Sequence, residues 1–224
     1  MYKGICIGST PGASIEERFA NAALYGFQGI EVHTLRDDAE RREVKRWSER
    51  YGIPVFSVMN SDHWQYPLSD PDPEVVERSL VGISQSIDTA AYLGADTVLV
   101  VPGVVKADVT YEQAWARSTE ALNRVLPQAE RLGIYLAVEN VWNKFLLSPL
   151  EFAAYVDSFN SAHLVAYFDV GNVLLYGFPQ HWIRTLGSRI KQVHIKGFDV
   201  QTFAWCSLME GSADWPSVMH ALRD

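Results

Sequence analysis

Glu139, Asp169 and His194 are polar residues at or beside the C-terminal ends of apolar runs: Ala137-Val138-Glu139, Tyr167-Phe168-Asp169 and Val193-His194-Ile195. Intervals of 30 and 25 residues separate them. Each is about one strand-plus-helix unit, so the three are expected on neighbouring strands. Glu210, in Met209-Glu210-Gly211, is a fourth candidate on the loop after the last run. Three carboxylates gathered in one pocket repel each other and are costly to bury unpaired. A divalent cation removes both penalties. A mixed oxygen and imidazole set suits Mn²⁺, and also Mg²⁺, Co²⁺, Fe²⁺ or Zn²⁺. With only two cysteines in the chain, an all-thiolate structural zinc site is excluded. Each residue also has a plainer reading. Asp169 could cap the next helix, His194 could be a satisfied core residue, and Glu210 alone is an ordinary surface glutamate.

Such convergence needs a scaffold, and the rest of the chain supplies one. Tyr25-Gly26, Tyr51-Gly52, Leu93-Gly94 and Leu132-Gly133 each read as a helix end followed at once by a β-rich run. Strands are expected over residues 3–7, 29–33, 53–59, 97–101, 134–139, 164–169 and 190–195. Helix starts are marked by Ser14-x-x-Glu17, Thr110-x-x-Gln113 and Ser148-Pro149-x-Glu151. Pro127 is expected to kink or tighten the helix that contains it, and residues 67–73 read as a loop. Strand and helix alternate strictly, which implies a parallel sheet covered by helices. Gly8-Ser9-Thr10-Pro11-Gly12 does not match a dinucleotide fingerprint, so the doubly wound nucleotide-binding version loses support.

The reading is an α/β chain forming one (β/α)8 barrel domain over residues 1–224, whose catalytic face is at the C-terminal ends of the strands. Only seven strands are found before the final helical run at 215–222, and an open seam would leave unpaired edges. A further C-terminal strand and helix are therefore expected beyond Asp224.

Composition narrows the partners. The chain is 48% hydrophobic and 21% charged with a net charge of −8, an ordinary globular balance without the basic footprint of a nucleic-acid binder. Arg41, Arg42, Lys45 and Arg46 are interleaved with Glu40, Glu43 and Glu49, as on a solvated helix face. The most apolar stretch, 98–105, is broken by Pro102 and Gly103 and is too short to span a bilayer. No apolar h-region follows Met1, and a buried free thiol is the expected state of Cys6. A reducing cytoplasm fits this cysteine usage.

Four motifs occur in a fixed order: Val138-Glu139-Asn140, Phe168-Asp169-Val170-Gly171-Asn172, Val193-His194-Ile195-Lys196 and Glu210-Gly211-x-x-Asp214-Trp215. With Gly29-Ile30-Glu31, they resemble the xylose isomerase-like TIM-barrel superfamily over nearly the whole chain. The nearest group is the sugar phosphate isomerases and epimerases, close to ketose 3-epimerases and hydroxypyruvate isomerases. The resemblance implies that Glu139, Asp169, His194 and Glu210 bind one divalent metal, Mn²⁺ by preference. It implies further that Glu139 and Glu210 move a proton next to the carbonyl of a sugar or sugar phosphate, through a metal-bound enediolate. Asn172 stands where related ketose epimerases carry histidine, which would alter a substrate contact.

Lys196 and Lys144 are candidates for a hydroxyl or phosphate oxygen, and His63, Trp64 and Tyr66 for a wall of the sugar site. Glu31 reads as a residue behind the metal ligands. Rival readings are an inosose-type dehydratase on the same scaffold, an endonuclease for abasic DNA, and a non-catalytic sugar-binding barrel. The endonuclease needs a multi-zinc cluster, which six histidines, four of them poorly placed, do not suit. No nucleic-acid or membrane partner is expected, and a homo-oligomer stays open.

Overall fold

The computed structural model describes residues 1–224. Seven strands form one sheet in sequential order, each parallel to the next. They are β1 (Gly4–Cys6), β2 (Gly29–His33), β3 (Val55–Met59), β4 (Thr97–Val100), β5 (Tyr135–Glu139), β6 (Leu164–Asp169) and β7 (Ile190–His194). The intervening helices are α1 (Ile15–Leu24), α2 (Asp38–Tyr51), α3 (Pro73–Leu93), α4 (Tyr111–Leu132), α5 (Pro149–Asp157), the single turn α6 (Val170–Val173) and α7 (Pro179–Leu186). The sheet curls as a (β/α) barrel that lacks the last strand, with β1 and β7 as its free edges. A two-stranded antiparallel hairpin, β8 (Gly197–Asp199) and β9 (Ala204–Cys206), follows β7, and α8 (Trp215–Ala221) comes last.

The expected caps are in place. Ser14, Thr110 and Ser148 accept the backbone N–H three residues on, and Gln113 completes a reciprocal box with Thr110. Gly52, Gly94 and Gly133 end α2, α3 and α4 in the left-handed region, which glycine enters without a Cβ penalty. Some limits shift. β1 is shorter than expected because Ile7–Ser9 already turns as a 3-10 segment. β3 starts at Val55 because Pro54 has no N–H for the ladder, although its carbonyl still accepts from Ile30. α4 runs unbroken through Pro127. Pro127 and Asn123 are both exposed, so the carbonyl freed by the proline faces water.

Packing is divided between two zones. A cluster of 43 buried apolar residues lies between strands and helices, and supplies most of the burial that holds the helices on the sheet. The barrel interior has only the small cluster Leu99, Ala137 and Tyr167, with Met59 and Val165 against it. Toward the C-terminal ends of the strands the lining turns polar, with Glu31, Ser57, Glu139 and Asp169 all buried. Buried polar groups must find partners inside the protein, so this zone holds a hydrogen-bonded network in place of a dry core. No helix is long and apolar enough to cross a membrane.

Candidate metal centre

Glu139, Asp169 and His194 close β5, β6 and β7 and are brought together as their spacing predicts. His194 Nδ1 lies 2.9 Å from Glu139 Oε1 and 3.9 Å from Asp169 Oδ2. One donor atom from each of the three falls within 4.8 Å of the others. The register of β6 on β7 pairs Asp169 with His194, which puts both side chains at one level.

Beyond the last rung of β5, the side chain of Asn140 continues the ladder. Its Oδ1 accepts from the Asp169 N–H at 2.7 Å and its Nδ2 donates to the Asp169 carbonyl at 2.9 Å. Asp169 then caps α6, its Oδ1 accepting from the Asn172 N–H at 2.8 Å. Asn172, expected at the substrate, donates its side-chain amide to the Asn140 carbonyl at 2.8 Å and is buried. Its role in this geometry is to tie together the segments that carry Glu139 and Asp169.

The other edge of His194 faces a second carboxylate. Nε2 lies 3.0 Å from Glu31 Oε1, and the Cys6 thiol donates to the same oxygen at 3.3 Å. Glu31 Oε2 accepts from Ser57 at 2.7 Å and from the Tyr167 hydroxyl at 2.8 Å. Burial alone would raise the Glu31 carboxyl. The hydrogen bond and charge of His194, with the two hydroxyls, overcome this and hold it at about 2. Burial likewise opposes charge on His194, but its contacts with Cys6, Glu139 and Glu31 raise it well above the usual histidine range. A carboxylate oxygen beside each ring nitrogen favours a proton on both. Burial pushes the Cys6 thiol up and keeps it neutral.

Asp169 is fully buried, and its Oδ2 receives no directed hydrogen bond. The Lys196 ammonium forms an ion pair with that oxygen at 2.6 Å. Burial disfavours the charge on Lys196, but Asp169 and Glu139 hold it protonated. The buried hydroxyl of Tyr176 also lacks a hydrogen-bond partner. A buried carboxylate oxygen with an open lone pair, a second carboxylate and an imidazole within reach form a donor set that fits a divalent cation. Glu139, Asp169 and His194 Nδ1 would hold it.

Glu210 does not join this set. Its side chain is exposed on the turn after β9, where its N–H bonds to the Ser207 carbonyl. The β8–β9 hairpin separates Glu210 from β7, and neither group of metal-capable donors contains it. Lys144 is exposed on the loop after β5, with φ at 60°. His63 is buried after β3 with its Nδ1 unpartnered, and the exposed Trp64 meets it edge-on at 5.3 Å. No hydrogen bond links His63 or Trp64 to the three ligands.

Over the mouth, Trp142 stacks on Trp205 at 5.0 Å and on Phe203 at 5.9 Å, and Lys196 Nζ lies 5.7 Å from the Trp205 ring centre. A groove of about 190 Å³ between α3 and α4 lies outside the barrel and shares no residue with the donors. Sequence reasoning assigned no role to Ser57, Tyr167 or Asn140, and it read Cys6 as a buried free thiol. The alternation that puts Tyr167 and Asp169 on one face of β6 was the available signal for Tyr167.

Residues 19–224 match the family model described as xylose isomerase-like TIM barrel. Among curated proteins, a provisionally named L-ribulose-5-phosphate 3-epimerase, SgbU, of Haemophilus influenzae is 24% identical over 193 residues, covering 81% of this chain and 67% of that protein. Its namesake in Escherichia coli is 27% identical over 192 residues, covering 80% and 67%. Among solved structures, a D-tagatose 3-epimerase-like protein superposes with a TM-score of 0.87 at 19% identity, covering 100% of this chain and 86% of the other. An L-ribulose 3-epimerase superposes at 0.81 with 23% identity, covering 100% and 77%. At these identities the superpositions establish the fold.

Proposed function

This chain belongs to the xylose isomerase-like TIM-barrel family, and on that premise we propose that it is a divalent-metal-dependent sugar epimerase of the ketose 3-epimerase type. The convergence of Glu139, Asp169 and His194 at the strand ends carries the reading. The names of the two curated relatives and of the superposed epimerases support the substrate class, a ketose or ketose phosphate.

Glu139, Asp169 and His194 Nδ1 would hold a divalent ion, Mn²⁺ by their chemistry, which would supply Lewis-acid polarisation of the ketose carbonyl. The chain's own residues do the rest. Glu139, whose carboxylate ends β5 at the mouth of the barrel, takes the proton from the carbon beside the carbonyl, and a solvent-derived proton returned to the opposite face gives the epimer. Glu31 holds the His194 ring from behind, so the ring cannot turn away. Asn140 and Asn172 fix the backbone and one oxygen of Asp169. Lys196 stands at the entrance, where its ammonium can meet a hydroxyl or phosphate oxygen, and the stacked rings of Trp142 and Trp205 limit water.

The test is incubation in deuterated water with Mn²⁺ and a panel of free and 5-phosphorylated ketoses, read by NMR. Deuterium is expected at the carbon next to the carbonyl, together with the epimer. Glu139→Gln is expected to slow exchange by about 10²–10⁴-fold. Exchange that survives both chelation and this substitution rejects the reading.

A further inference from the structure

His194 has two ring nitrogens, and each faces its own set of donors. Nδ1 faces Glu139 and Asp169. Nε2 faces Glu31 and Cys6, which with His194 form a separate group whose donor atoms also lie within 4.8 Å of one another. We propose that Cys6 Sγ, Glu31 Oε1 and His194 Nε2 form a second metal site, for a thiophilic tetrahedral ion of the Zn²⁺ class.

The geometry is close to what such an ion needs. Zinc bonds of roughly 2.0–2.3 Å at tetrahedral angles put neighbouring donors about 3.4–3.6 Å apart. Here Cys6 Sγ lies 3.3 Å from Glu31 Oε1 and 3.6 Å from His194 Nε2, and those two atoms are 3.0 Å apart. Opening the triangle by a few tenths of an ångström makes room for the ion. The supporting contacts already exist. Ser57 and Tyr167 both bond to Oε2 of Glu31, which leaves Oε1 to the ion. Glu139 accepts from His194 Nδ1, the arrangement in which a carboxylate orients a metal-bound histidine.

A cavity of about 90 Å³ beside the three donors has room for a fourth ligand. Cys6, Glu31 and His194 line it together with Ser57, Tyr167 and Gln192. The chemistry separates the two sites. Thiolate and imidazole select Zn²⁺ or Cd²⁺, whereas the two carboxylates of the other set favour a harder ion. Binding releases the thiol proton and one imidazole proton to solvent. Because an ion on Nε2 leaves Nδ1 protonated toward Glu139, filling this site withdraws His194 from the first one.

Cd²⁺ titration of the whole chain tests the proposal through the near-ultraviolet thiolate-to-cadmium charge-transfer band. The band is expected in the wild type and in Cys206→Ser, the control for the chain's other thiol. It is expected to be lost in Cys6→Ser, and to need about tenfold more Cd²⁺ or above in Glu31→Gln. Circular dichroism checks that each variant folds, and Glu31→Gln keeps the test open if Cys6→Ser does not. Zn²⁺ is expected to displace Mn²⁺ followed by electron paramagnetic resonance in the wild type, and to displace it less in Cys6→Ser. A band that follows Cys206, or one indifferent to both Cys6 and Glu31, overturns the site. Mn²⁺ binding without any band removes this site alone. A Cys6-dependent band without Mn²⁺ binding removes the epimerase reading alone.

Discussion

The ammonium of Lys196 stands between Oδ2 of Asp169, 2.6 Å away, and the face of Trp205, 5.7 Å from the ring centre. It holds the one Asp169 oxygen that no directed hydrogen bond claims. On the proposed reading a divalent cation would compete with this ammonium for the same lone pairs, and the part-exposed lysine stem would let it yield toward Trp205.

Lys196→Met should consequently tighten Mn²⁺ binding by roughly tenfold or more, since a like charge a few ångströms from the ion is removed. The metal-free protein should lose stability at the same time, because Asp169 is left buried without a counter-charge. Lys196 is 41% exposed, so the loss is set low, at about 1–2 kcal/mol. Calorimetric Mn²⁺ titration and urea unfolding with chelator check the two halves. Unchanged affinity would show that Lys196 does not compete.

Gly171 gives Lys196 its place. A Cβ built on Gly171 would lie 2.7 Å from Lys196 Cβ and 3.2 Å from its carbonyl oxygen. Gly171→Ala should therefore cost about 1–3 kcal/mol by overpacking. It should also shift Mn²⁺ affinity in the same direction as Lys196→Met, because the lysine is pushed off Asp169. Thermal melts and the same titration read both effects, and an alanine variant as stable as the wild type refutes the close-approach argument.

His63 sets a pH dependence. Burial lowers its pKa from 6.5 to about 4, against weaker pulls from the Asn60 backbone and Asp62. The unfolded chain thus binds the extra proton first as pH falls. The stability this neutral ring contributes is full above about pH 6.5 and is lost on acidification toward pH 4. Linkage gives about 2 kcal/mol lost between pH 7 and pH 5. Urea unfolding at the two pH values should show that this share of the slope vanishes in His63→Gln. An equal slope in both proteins would mean that His63 is already solvated in the fold.

Much of this was legible from the chain. The strand ends at Glu139, Asp169 and His194 announced themselves because a polar side chain closing an apolar run has few purposes, and unit-length spacing puts such ends side by side. Lys196, two residues past His194, was expected at a substrate oxygen, and its ammonium instead pairs with Asp169. The Glu210 placement was not legible. The β8–β9 hairpin intervenes, and the direction in which a hairpin leaves a barrel depends on contacts such as Trp142 on Trp205 that no local pattern encodes. Nor could spacing show Cys6 beside His194, since 188 residues separate them and only the curl of the sheet joins its two edges.

The Asn140 side chain acts as an extra rung between β5 and β6, bonded to both the N–H and the carbonyl of Asp169. A side chain that completes a main-chain ladder shields what lies below it from what moves above. The loop beyond carries Trp142, whose Nε1 donates to the Asn172 carbonyl at 3.0 Å, and then the exposed Lys144. Exposed positions of that loop, such as Lys144, can vary while the spacing of the Glu139 and Asp169 donors beneath stays the same.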